Sequence, residues 1–148
     1  MYKHILVPTD GSKLSTHAVR AACNLAQTCG ARITGIYVIP PYVPPIYAEG
    51  MIYIADLGPK RHKEVMQQAA KKALAVLSAE ARRAGVACAS AAPVADQPWE
   101  GILKAARGKR CDLIVMASHG RRGIAGLLLG SETTKVLTHS KIPVLVCR

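Results

Sequence analysis

Between Val115 and Thr134 the chain reads V-M-A-S-H-G-R-R-G-I-A-G-L-L-L-G-S-E-T-T, an order of residues that few architectures accommodate. Cys111 to Ala117 is a near-continuous apolar run, the pattern of a parallel strand buried on both faces. Ser118-His119-Gly120 turns the chain out of the sheet, and a glycine-rich loop carries it to Gly130. Ser131 stands where a helix N-cap would stand ahead of Val136 and Leu137. In a strand, loop and helix of this kind, backbone N–H groups and the positive end of the helix dipole face the loop, which suits it to phosphate. Gly130 is expected to supply unusual backbone angles and room for close ligand approach. The alternative is a surface loop that only joins strand to helix, although loops this long in compact domains generally serve a function.

The spacing separates this loop from two common phosphate sites. A Walker A loop needs a Lys after its last glycine, and Ser131 follows Gly130. A dinucleotide fingerprint needs G-x-G-x-x-G after the first strand, whereas Gly120, Gly123 and Gly126 are spaced G-x-x-G-x-x-G late in the chain.

From the amino terminus, His4 to Thr9 is a short apolar strand ending at the turn cluster Asp10-Gly11-Ser12. Leu14 to Cys29 carries Ala18, Ala22, Leu25, Ala26 and Cys29 at helical spacing, and Gly30 stops it. Arg32 to Ile39 is a second strand, completing a right-handed βαβ unit. Pro59 to Ala84 is predicted as a long helix with Val65, Ala69, Ala73, Leu77 and Ala81 on its core face and Gly85 at its end. Val86 to Ala92 is a weak strand of small residues, suited to a sheet edge. Pro98 opens a helix that runs to Gly108, and Ser131 to about Ser140 is the last helix. Ile142 to Cys147 is the last strand. Five strands alternating with four helices predict an α/β fold, a doubly wound parallel sheet in a single domain spanning residues 1–148. Ligands in such sheets bind beyond the carboxyl ends of the strands where the winding reverses, so Asp10 and the 117–131 loop should border one crevice. Asp10 has two readings there: an Asx turn capping the first helix, or an acceptor for a base, a ribose or a cation.

Composition narrows the function classes. No run of about 18 apolar residues exists, and the amino terminus lacks a signal peptide's apolar region, so a cytoplasmic protein without membrane spans is expected. The five cysteines form no C-x-x-C and lie in apolar stretches, which points to reduced, buried thiols. The net charge of +11 is concentrated at Lys60, Arg61, Lys63, Lys71, Lys72, Arg82 and Arg83 on one predicted helix and Lys104, Arg107, Lys109 and Arg110 on another. Such charges usually form a solvated helix face, and no helix-turn-helix, zinc finger or aromatic RNA-binding signature accompanies them. No specific nucleic-acid recognition is expected, although the excess favours attraction of polyanions, including a triphosphate. Pro40 to Gly58 combines four prolines with Tyr42, Tyr47 and Tyr53, too apolar for a solvated linker. It is expected to be a lid, a partner-docking segment, or a loop packed on its own core.

Three stretches resemble the universal stress protein family: V-P-T-D-G-S at Val7 to Ser12, A-x2-G-x9-G-S at Ala117, Gly120, Gly130 and Ser131, and I-P-V-L-V-C at Ile142 to Cys147. Alanine stands at Ala117 where the family motif has glycine. The resemblance covers essentially the whole chain. It implies a Rossmann-like sheet in the order 3-2-1-4-5 and membership of the ATP-binding subgroup, with ATP held alone or with Mg²⁺ or Mn²⁺. By the same match the nucleotide contacts are Pro8, Thr9, Asp10 and Val38 toward the base, and Met116, Ala117, Ser118, His119, Gly120, Arg121, Arg122, Gly130, Ser131, Glu132 and Thr133 around the ribose and phosphates. The implied role is a nucleotide-responsive module in stress tolerance or signalling. A dimeric interaction protein without nucleotide, or a slow ATPase, are the alternatives.

Asp10, His119 and Ser131 superficially suggest a hydrolytic triad, but Ser131 lies outside any G-x-S-x-G elbow. At most slow ATP hydrolysis is expected. In the 3-2-1-4-5 order the last strand is an edge, apolar and without Lys, which a second copy paired on Ile142 to Cys147 would protect. A monomer whose edge is shielded by the proline-tyrosine segment is the other arrangement.

Overall fold

The computed structural model describes residues 1–44, 58–120 and 129–148. The elements are β1 (His4–Pro8), α1 (Lys13–Cys29), β2 (Arg32–Ile36), α2 (Gly58–Arg83), β3 (Cys88–Ala91), α3 (Pro98–Gly108), β4 (Leu113–Ala117), α4 (Ser131–His139) and β5 (Val144–Cys147). The strands form one sheet in the order β3-β2-β1-β4-β5, every pair parallel. This is the predicted order.

Strand alternation sorts the core into two layers. Ile5, Val7, Ile33, Leu113 and Val115 pack with Val19, Ala22, Ala26, Leu77 and Ala81 of α1 and α2. Their sequence neighbours Leu6, Ile36, Ile114 and Met116 point the other way, toward Ile102, Leu103 and Ala106 of α3 and Val136 of α4. The central strands therefore need apolar residues at every position, which is why β1 and β4 read as unbroken runs. Small residues on α1, Ala18, Ala22 and Ala26, let a helix lie close on the sheet in a chain without Phe.

Several boundaries differ from those expected. The buried face of α2 is Ala70, Ala73, Leu77 and Ala81, whereas Val65 is 39% exposed. A strict four-residue spacing drifts about 40° per step around a helix, so Val65 rotates out of the face that Ala81 defines. The strand β2 ends at Ile36, with only an isolated bridge from Ile39 to Val94 beyond it. Ile142 belongs to a turn instead of β5, its N–H donating to Ser140 Oγ at 3.0 Å. Gly108 remains helical, and the left-handed residue past α3 is Arg110 at φ 55°.

All five cysteines are free, but only Cys23 and Cys111 are fully buried; the other three are half-buried. Burial pushes the Cys23 and Cys111 thiols up to about 11, which leaves them protonated and poor nucleophiles at neutral pH. Tyr42 stands edge-on to His62 of α2, with ring centroids 5.6 Å apart. The rest of the proline-tyrosine segment, 45–57, lies outside the described residues, as do the lid and docking readings that rest on it. Among the described residues no helix is long and apolar enough to cross a membrane.

Candidate functional site

The winding of the sheet reverses between β1 and β4, and both of these strands release a helix at the same end. After β1, Thr9 is buried, its N–H donating to the Ile36 carbonyl at 2.9 Å and its hydroxyl 3.1 Å from that of Ser15. Asp10 Oδ1 accepts the Ser12 N–H at 2.9 Å, and Ser12 Oγ in turn accepts the Ser15 N–H at 3.1 Å. This is an Asx turn feeding a side-chain N-cap, which satisfies the Ser15 N–H in the first turn of α1.

After β4 the arrangement is different. Ser118 is buried and joins three pieces: its N–H donates to the Cys147 carbonyl at 2.7 Å, its carbonyl accepts the Gly130 N–H at 2.8 Å, and its hydroxyl lies 3.1 Å from His119 Nδ1. The bond from Gly130 to Ser118 closes the two ends of the loop on each other. Thr133, also buried, donates its hydroxyl to the Ala117 carbonyl at 3.0 Å and pins the first turn of α4 to the end of β4.

Two glycines are needed here because of what lies against them. A Cβ on Gly120 would fall 2.8 Å from Asp10 Oδ2, so the ends of β1 and β4 do border one crevice. A Cβ on Gly130 would lie 3.2 Å from the Ser118 carbonyl oxygen. The backbone at Gly130, φ −71° and ψ 155°, is ordinary extended chain, so close packing and not an unusual φ is what selects glycine. Gly130 is also the N-cap of α4, in place of the expected Ser131, which is the first helical residue and is exposed. The chain turns into the helix one residue early because the Gly130 N–H is already committed to Ser118. Gly130 makes no side-chain cap bond, so among the described residues no side chain caps the leading N–H groups at the positive end of α4. Beside them His119 Nε2 is buried and has no partner among the described residues.

The remaining expected residues divide by position. Pro8 ends β1, and Met116 and Ala117 are buried at the end of β4, with Met116 in the core against α3 and α4. Val38 follows β2 and is packed toward α3, where a Cβ on Gly101 would meet its Cγ1 at 2.9 Å. Arg121 and Arg122 lie outside the described residues.

Glu132 faces away from the loop. Its Oε2 accepts the Trp99 N–H at 2.9 Å and its Oε1 is 3.3 Å from Lys135 Nζ. The N-cap of α3, Gln97, makes no side-chain cap bond, and Pro98 has no N–H, so α4 supplies the missing acceptor for α3. The Trp99 ring also lies on His139, centroids 4.6 Å apart. Glu132 and His139 are two turns apart on one face of α4, and Trp99 spans them. The sequence reading did not single out Trp99; the i, i+7 spacing of Glu132 and His139 was the available signal, but its partner is 33 residues away along the chain.

A parallel sheet whose winding reverses between β1 and β4 defines a doubly wound α/β protein. A family model described as "Universal stress protein family" matches residues 1–148, and the chain belongs to that family. It is 32% identical to universal stress protein MJ0531 of Methanocaldococcus jannaschii over all of this chain and 83% of that one. A solved structure of the hypothetical protein MJ0577 superposes with a TM-score of 0.80 at 28% identity, covering 99% of this chain and 96% of that one. Two further universal stress protein structures of this fold contain cAMP and dAMP, with TM-scores of 0.64 and 0.73 at 24% and 19% identity. They cover 99% of this chain and 97% and 98% of their own.

Proposed function

We propose that this protein binds an adenine nucleotide, ATP, in the crevice between the ends of β1 and β4, and acts as a nucleotide-responsive module and not as an efficient enzyme. The observation that carries the reading is the start of α4, without a side-chain cap, beside the buried Nε2 of His119, which has no partner among the described residues. Phosphate oxygens would satisfy both at once. In this reading Gly120 and Gly130 keep side chains out of the phosphates' approach, and Thr9, Asp10 and Val38 contact the base and ribose. The nucleotides in the cAMP and dAMP complexes agree with an adenine preference. When bound, a Mg²⁺ or Mn²⁺ ion would accompany the phosphates, with Asp10 the carboxylate that reaches across the crevice to Gly120.

Calorimetry with ATP and Mg²⁺ at low salt tests the reading: ATP is expected to bind more tightly than inorganic triphosphate. Absence of heat across millimolar ATP overturns it. Gly130→Val is expected to weaken binding while the fold is kept, because its side chain enters the space beside the Ser118 carbonyl. Hydrolysis is expected to be slow, since no described residue is placed to activate water. Sustained turnover near the roughly 10 per second typical of enzymes would replace this reading with that of an ATPase.

The edge strand supports a homodimer. Val144, Leu145 and Val146 lie on an outer strand of the sheet, with Leu145 43% exposed. Deleting residues 144–148 is expected to give monomer or aggregate, and a monomer in sedimentation of the intact protein at high micromolar concentration would exclude the dimer.

A further inference from the structure

The exposed face of α2 repeats a dibasic step at an interval that its nucleotide chemistry does not require. Lys60-Arg61, Lys71-Lys72 and Arg82-Arg83 are each 11 residues apart. Eleven residues make three turns and about 16 Å of rise, so the pairs return to one side of the helix in a straight row about 34 Å long. All six side chains are exposed. The buried stripe Ala70, Ala73, Leu77 and Ala81 fixes the opposite side against the sheet, so the row is held rigidly outward. Against seven cations α2 carries two carboxylates: Glu64, beside Arg61, and Glu80, half-buried and shared by Arg83 and Arg20.

We propose that this face of α2 is a docking surface for the phosphate backbone of duplex DNA, read without regard to sequence. The row is close to one turn of B-form duplex, about 34–36 Å, and its charge complements a polymer with one negative charge per about 1.7 Å of axis. Between the pairs lie Gln67, Gln68, Ala75 and Ala79, which offer no aromatic platform for unstacked bases. A membrane surface would call for a broad stripe of large apolar side chains, and this side of α2 exposes two valines, Val65 and Val76, at the edge of the row. No base-reading element accompanies the row, which agrees with positioning contacts alone.

The test is fluorescence anisotropy of a labelled mixed-sequence 24-base-pair duplex titrated with the full chain across a salt series. Wild type is expected to bind at 50 mM salt and to lose affinity linearly in log salt, by about 0.9 per phosphate contact. Lys71→Gln, Lys72→Gln and Arg82→Gln together are expected to lower that slope by about 2 to 3 and the affinity at least tenfold, by the same relation. Lys104→Gln and Arg107→Gln on α3 with Lys109→Gln at its C-cap remove equal charge and are expected to change both little. Single substitutions at Lys71 and Arg82, each lowering the slope by about 1, carry the test should the triple variant fail to fold. The proposal is overturned by no binding at 50 mM salt, by equal losses from the α2 and α3 triples, by equal affinity for a single strand, or by tighter binding to phosphatidylserine vesicles than to duplex.

Discussion

Two helices begin side by side at the reversal point of the sheet, and they begin differently. At α1 the Asx turn of Asp10 holds the cap residue Ser12, whose hydroxyl takes the Ser15 N–H, so that end carries a side-chain cap. At α4 the N-cap is a glycine without a side chain, and Glu132, the one acid in the first turn, is drawn away to Trp99. The same local physics, a helix dipole with unsatisfied donors, is spent on stability in one helix and left available to a ligand in the other. A helix start is thus an anion site only where no side chain has already taken its donors.

The strongest way to break this contrast is to cap α4 as α1 is capped. Gly130→Asp should place a capping carboxylate on the leading N–H groups and lower ATP affinity about 100-fold, since like charges about 4 Å apart repel by up to about 4 kcal/mol at an effective dielectric near 20. Calorimetry reads the loss, and affinity within twofold of wild type would mean that phosphates do not sit at α4. The converse substitution, Ser12→Ala, should cost about 1 kcal/mol of stability by denaturant unfolding and leave ATP affinity nearly unchanged. A large affinity loss there would show that α1 is the ligand's helix after all.

The finest distinction concerns Glu132. Glu132→Gln keeps an acceptor for the Trp99 N–H and removes a charge from the start of α4, so stability should fall by about 0.3–1 kcal/mol with the emission of the sole tryptophan unchanged. Glu132→Ala should shift that emission by releasing the Trp99 backbone. If both variants lose ATP binding equally, Glu132 belongs to the ligand and not to α3.

Much of this was legible in the sequence. Unbroken apolar runs at β1 and β4 meant burial on both sides, and alternation with helices then left a parallel doubly wound sheet. The glycine at 130 and the acid at 10 marked the crevice from opposite ends of the chain. Periodicity was weaker on α2, where Val65 fits a four-residue count but falls off the face actually buried. Helix caps were weaker still: Ser131 is a good capping residue by type, yet Gly130 caps α4 because its N–H is held by Ser118.

What the sequence determined by itself was whatever depends on nearest neighbours along the chain: strand burial, helix existence and the turn at Asp10. Only the tertiary structure decided the properties of groups whose partners are distant. Asp10 lies against Gly120, Glu132 accepts the N–H of Trp99 from 33 residues earlier, and His119 keeps one buried nitrogen without a partner among the described residues. Each depends on how helices and strands are brought side by side, and a hydrogen bond between residues far apart in sequence leaves no period or spacing to read. The division is physical: local propensity acts over a turn or two of chain, whereas the donors and acceptors that make a site are matched only when the sheet has closed around them.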